Sequence, residues 1–104
     1  MTVRGKLSEA FSEDIVQAVW EKGHLDSEND ASIWRKDDCG AWIRRSDHGD
    51  RNSSFGWEID HVNPNGGSDL PNLRPLQWEN NVAKGADRTK CVVTSSANKN
   101  VREP

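Results

Sequence analysis

Residues 57–84 read WEIDHVNPNGGSDLPNLRPLQWENNVAK, and most of the side chains able to do chemistry lie there. Asp60 and His61 are adjacent. Asn72 follows eleven residues after the histidine, Asn81 nine residues after that asparagine, and Lys84 closes the run. An aspartate carboxylate and an asparagine carbonyl are hard oxygen ligands. They suit Mg²⁺ or Mn²⁺ with retained waters better than Zn²⁺. A neutral imidazole beside such an ion can take a proton from water near physiological pH. The ion can stabilise an oxygen leaving phosphorus. These are the parts of a one-metal phosphodiester hydrolase. Taken singly, each residue also has a plain structural reading. Asp-His can be a solvated loop edge, Asn72 a turn residue, Asn81 a helix-surface residue, and Gly66-Gly67 only a turn.

The joint spacing resembles the HNH, or ββα-metal, endonuclease family. The matching pieces are Ile59-Asp60-His61-Val62, Pro64, Gly66-Gly67, Asn72-Leu73, Pro75-Leu76 and Asn81-x-x-Lys84. They span about residues 55–85, and more weakly 34–85. The resemblance implies DNA phosphodiester hydrolysis with one divalent ion, Mg²⁺ or Mn²⁺ before Zn²⁺. It implies that His61 is the general base and that Asp60 and Asn81 are metal ligands. Asn72 would be the catalytic-motif asparagine that holds the loop and helps position the histidine. Lys84 matches a basic residue that contacts phosphate or complements the helix C-terminus. Two departures stand out. Gln77 lies where many members carry a second metal-binding histidine. The paired C-x-x-C motifs that flank the site in many members are absent, so no zinc ribbon is expected.

The surrounding elements must position these groups. Phe11, Ile15, Ala18, Val19 and Lys22 share a 3.6-residue face, which predicts an amphipathic helix over residues 8–22. Ser8 or Ser12 would cap it and Gly23 would end it. Residues 33–37 suggest a short helical turn. Residues 41–45 and 56–61 read as strands, and the polar run 46–54 between them predicts a hairpin. Residues 73–77 read as an edge strand, since Pro75 cannot donate to a ladder. Residues 78–84 then form two turns of helix ended by Gly85, residues 91–94 a strand, and the rest of residues 86–104 a partly loose tail. Asp60 and His61 would point to opposite faces of a regular strand, so the strand must end there for both to serve one site. The fold class expected is a small α+β single domain: a ββα-metal unit with an N-terminal helix.

Composition bounds the rest. The chain has 104 residues, a net charge of −3 and a hydrophobic fraction of 33%. One small core is feasible at this length, burying about 65% of the unfolded surface. Five tryptophans and no tyrosine imply an aromatic core, with base stacking the other use for one of them. No run approaches a membrane span or a signal-peptide core, so a cytoplasmic protein without membrane partners is expected. Cys39 and Cys91 fit one disulfide or, as expected of a cytosolic chain, two reduced thiols. Residues 1–33 carry −4, residues 34–73 carry −2 and residues 74–104 carry +3. Only the last third attracts a polyanion. Arg44, Arg45 and Arg51 either contact substrate phosphates or pair with nearby aspartates. DNA is the expected partner, with RNA open. A dimer or partner protein would supply affinity that so little positive charge does not. A non-catalytic nucleic-acid-binding module and a protein-interaction domain are the rival functions.

Overall fold

Ser12 starts the first helix. Its Oγ accepts the Ile15 amide at 3.3 Å, and Glu13 and Asp14 complement the N-terminal dipole. The resulting α1 spans Glu13–Trp20 and buries Val16, Val19 and Trp20. It is shorter than the periodicity predicts, because Lys22 has left the helix. The Lys22 ammonium instead donates to the Leu70 and Leu73 carbonyls, both at 2.6 Å. The structure, a computed structural model, describes residues 10–85 and 90–103, so Ser8 and residues 86–89 lie outside the described residues.

The segment expected to form a helical turn is a strand. β1 (Trp34–Lys36) pairs antiparallel with β2 (Trp42–Arg44). The intervening turn explains it. Asp37 Oδ1 accepts the amides of Cys39 and Ala41, and Gly40 takes φ +83°. That closes a short, pre-formed hairpin. The hairpin expected between residues 41–45 and 56–61 does not form. β3 (Trp57–His61) pairs instead with β4 (Leu73–Gln77), with Ile59 opposite Pro75 and Asp60 opposite Arg74. The polar run before β3 folds back on itself. Gly56 touches it so closely that a Cβ there would meet the Asp50 carbonyl oxygen at 1.8 Å.

α2 (Trp78–Lys84) follows β4 directly. Gln77 is its N-cap: the fully buried Oε1 accepts the amides of Glu79 and Asn80. The tail is also more ordered than expected. β5 (Val93–Ser96) and β6 (Lys99–Arg102) form a third hairpin. The side chain of Asn100 docks it by mimicking a strand edge, accepting the Trp42 amide and donating to the Trp42 carbonyl.

The chain is thus an α+β fold of two helices and three two-stranded sheets among the described residues. Its core joins Val16, Val19 and Trp20 of α1 to Ile43, Trp57 and Leu73. Trp20 and Trp57 meet at 5.3 Å between ring centres. Each buried indole contributes roughly 4–6 kcal/mol of transfer free energy, which is how a chain this polar holds one core. Beneath β1–β2, Asn80 bonds Asp37 Oδ2 and the backbone of Val92 and Val93. The same junction carries a disulfide, Cys39–Cys91, with Cα atoms 5.7 Å apart. This corrects the expectation of reduced thiols. The turn after β1 and the segment before β5 both close on Asn80, so residues 52 apart in sequence become neighbours.

Candidate active site

β3 alternates. Glu58 and Asp60 face α2, while Trp57, Ile59 and His61 face the other side. On α2, Asn81 and Lys84 lie three apart and so share the face turned to β3. Two contacts result. Lys84 Nζ is 3.0 Å from Asp60 Oδ1, and Asn81 Nδ2 donates to Glu58 Oε1 at 2.9 Å. Asp60 therefore faces the helix, as strand alternation requires.

Asp60 is 4% exposed, and its second oxygen accepts from Arg74 Nε at 2.8 Å. Arg74 stands directly across the β3–β4 ladder and also pairs with Asp38 at 3.1 Å. Burial alone would depress the Arg74 guanidinium, but hydrogen bonds to Asp60 and Asp38 outweigh it and hold the group above its ordinary value. Lys84 is itself buried, 8% exposed. Its ammonium rests on Asp60, so the choice between phosphate contact and helix-dipole partner gives way to a buried ion pair.

His61 is still paired in β3, opposite Leu73, so the strand does not end before it. Its ring lies 6.4 Å from Phe11, and Nε2 shares a hydrogen bond with Ser68 Oγ at 2.9 Å. Ser68 belongs to the loop that Asn72 clasps. Asn72 Oδ1 accepts the Asn63 amide, while Nδ2 donates to the carbonyls of Asn63 and Gly67. Gly66 is required beneath this clasp, since a Cβ would meet Asn72 Nδ2 at 2.8 Å. Asn72 thus holds the loop, and through Ser68 the loop meets the histidine. Asp60 and His61 are not brought onto one face.

The three arginines expected to contact substrate are each paired. Arg44 bridges Asp47 at 3.0 Å, Arg45 bridges Glu13 at 3.0 Å, and Arg51 bridges Glu58 at 2.6 Å. Of the expected aspartate partners only Asp47 is used. Burial would raise the Glu58 carboxyl, but the bonds from Arg51 and Asn81 outweigh it and hold it below its ordinary range.

Glu58, Asp60 and Asn81 offer hard oxygens along one β3–α2 face, which is the donor chemistry of Mg²⁺ or Mn²⁺. Among the described residues no three histidine, cysteine or carboxylate side chains gather as a metal cluster. Both Asp60 oxygens hold cations of the chain itself, so a divalent ion would have to displace one of them. Reading the residues singly misses Arg74, Glu58 and Ser68. The first is legible only from strand register, the second from its spacing to Asp60, and the third not at all. No described helix is long and apolar enough to cross a membrane. The chain matches no family model, no curated protein and no solved structure.

Proposed function

We propose that this chain is a metal-dependent endonuclease of the HNH type, hydrolysing DNA phosphodiester bonds. The observation that carries the reading is the β3–loop–β4–α2 unit. It presents Asp60, His61, Asn72 and Asn81 from one continuous hairpin and helix, with Asn72 clasping the loop whose Ser68 meets His61. In this reading His61 accepts a proton from the attacking water, which requires the end of β3 to turn, because the paired strand holds His61 and Asp60 on opposite faces. Asn72 acts as a positioning residue through its loop. Asp60 and Asn81 would hold one divalent ion, Mg²⁺ or Mn²⁺, which when bound supplies charge stabilisation for the leaving 3′ oxygen. Arg44, Arg45 and Arg51 contact phosphates only by exchanging their present carboxylate partners.

The test is a supercoiled-plasmid assay with Mg²⁺, Mn²⁺, Zn²⁺ or EDTA, run beside His61→Ala. Nicking or linearisation that needs Mg²⁺ or Mn²⁺ and drops by at least about a hundredfold in the variant is the expected result. Cleavage by His61→Ala at the wild-type rate removes the proposed base.

One observation favours a second reading. Asp60 is already neutralised by Lys84 and Arg74. A nucleic-acid-binding module without catalysis would need no vacant carboxylate. It predicts salt-sensitive DNA binding and no cleavage with any metal.

A further inference from the structure

Strand alternation sorts the β1–β2 hairpin into two faces. Arg35 and Ile43 turn inward, where Ile43 is fully buried and Arg35 lies over Trp20 at 5.8 Å. Trp34, Lys36, Trp42 and Arg44 form the other face. Lys36 Nζ lies 4.7 Å from the Trp42 ring centre, and the Arg44 guanidinium lies 5.5 Å from that of Trp34. Two indoles and two cations therefore alternate on one small sheet. Between this face and the β5–β6 turn lies a groove of about 190 Å³, lined by Asn29, Trp34, Trp42 and Asn98. That is below the roughly 300–1,000 Å³ of sites for drug-sized ligands, so it suits a single flat ring.

The groove's polar groups are only partly used. Four of the five tryptophans donate their indole N–H to a backbone carbonyl: Trp20 to Ala31, Trp42 to Ala97, Trp57 to Arg44 and Trp78 to Ser53. Trp34 makes no such bond among the described residues. Asn98 is exposed, and its carboxamide has no partner among them either. Asn29 commits its amide nitrogen to Asp26 at 2.8 Å and keeps its carbonyl oxygen available. Trp42 is only 4% exposed and forms the groove's floor, so the half-buried Trp34 supplies the indole surface; with its free N–H and two carboxamides it matches the face and the donor–acceptor edge of a nucleobase. Charge is lopsided around the groove. Lys36 has no ion pair among the described residues, whereas Asp26, Glu28 and Asp30 surround Asn29 in sequence. A phosphate would be drawn to the hairpin side, leaving the base toward the asparagines. In a duplex both the face and the pairing edge are covered, so an unpaired base is required.

We propose that the Asn29–Trp34–Trp42–Asn98 groove holds an unpaired nucleobase of a single-stranded nucleic acid, with Lys36 drawing the adjoining phosphate. The proposal rests on the nuclease reading and names its substrate class as unpaired DNA, such as the underwound stretches of a supercoiled plasmid. The hairpin turn also abuts the candidate active site, because Asp38 pairs with the Arg74 that holds Asp60. The test is fluorescence anisotropy of a labelled single-stranded octadeoxynucleotide in EDTA, with the same sequence as a duplex and a neutral glucan oligosaccharide as competitors. Wild type should prefer the single strand. Trp34→Ala and Asn98→Ala should weaken binding by roughly fivefold to a hundredfold, with Trp34→Phe between. Asn98 is exposed and Trp34→Phe keeps a ring, so melting curves will separate lost binding from lost folding. Unchanged affinity in folded variants, equal affinity for duplex, displacement by the glucan, or no binding by wild type each overturns the groove. Because no metal is present, these outcomes leave the plasmid assay to decide the nuclease reading separately.

Discussion

Asp60 carries two demands on one carboxylate. As a buried group it needs its cations. Removing one partner of such a pair costs about 3–5 kcal/mol, because the other charge is left stranded. As a metal ligand it would need at least one oxygen released. Lys84→Met separates the two demands. It leaves Arg74 on Asp60, so stability should fall by only about 2 kcal/mol, the worth of one hydrogen bond to a charged group. If the site takes Mn²⁺, the variant should bind it several-fold more tightly than wild type, as read by calorimetry. Unchanged or weaker Mn²⁺ affinity would show that Lys84 does not guard a metal site. At this scale the sequence is legible where spacing alone decides. Strand alternation separates Asp60 from His61, and spacing puts Lys84 on one helix face with Asn81, but the Lys84–Asp60 pair itself is not read from either. Arg74 is not legible in that way, because its position opposite Asp60 depends on the β3–β4 register. Asp37 is less legible still. Its carboxylate accepts from Cys39, Ala41, Gln77 and Asn80, and the last two arrive from 40 and 43 residues away.

Among the elements, β3, β4 and α2 were readable and their partners were not. Residues 57–61 and 73–77 are both strands, as Pro75 at an edge requires, yet the sequence pattern pairs residues 56–61 with 41–45. The error has a physical cause. The Asp37–Gly40 turn closes β1 onto β2 with far fewer residues than the run 46–54 would need to close β2 onto β3, and shorter loops cost less entropy. β6 is hidden for another reason: beyond the buried Val93 of β5, its hairpin is held by the polar side chains of Asn80, Asn100 and Arg102 and by the Trp42 indole, not by apolar residues of β6. The disulfide ties these same elements together. Closing a loop of 52 residues should stabilise the fold by up to about 4 kcal/mol on chain-entropy arithmetic. Reduction, or the Cys39→Ser/Cys91→Ser double variant, should therefore lower the melting temperature by roughly 10 °C or more. Two titratable thiols in unreduced, denatured protein would show that the bond is not made.

For the molecule as a whole, a formal charge of −3 conceals an arrangement in which acids and bases hold the elements to one another. Asp38 ties the β1–β2 turn to Arg74, Glu58 ties β3 to Arg51 and Asn81, and Asp47 is held by Ser53 and Arg44. Burial would raise all three carboxyls, but these bonds, with that of His24 to Asp38, outweigh it and hold them below the ordinary range. A carboxyl lowered on folding contributes stability above its unfolded value, near 4, and that contribution is lost as pH falls through the folded value. Asp37 acts in the opposite sense. Burial pushes it up despite four donors, so its charge is a cost above the raised value and is relieved on protonation. Acidification from neutrality should first leave stability level or slightly improved as Asp37 takes its proton. It should then reduce stability steeply below about pH 4, where the three interlocking carboxyls are neutralised. Urea melts between pH 7 and 3 will read this directly. Glu58→Gln should flatten the lower limb, since its carboxamide cannot titrate. Equal stability at pH 6 and pH 3 would mean that these ion pairs do not hold the three hairpins and two helices together.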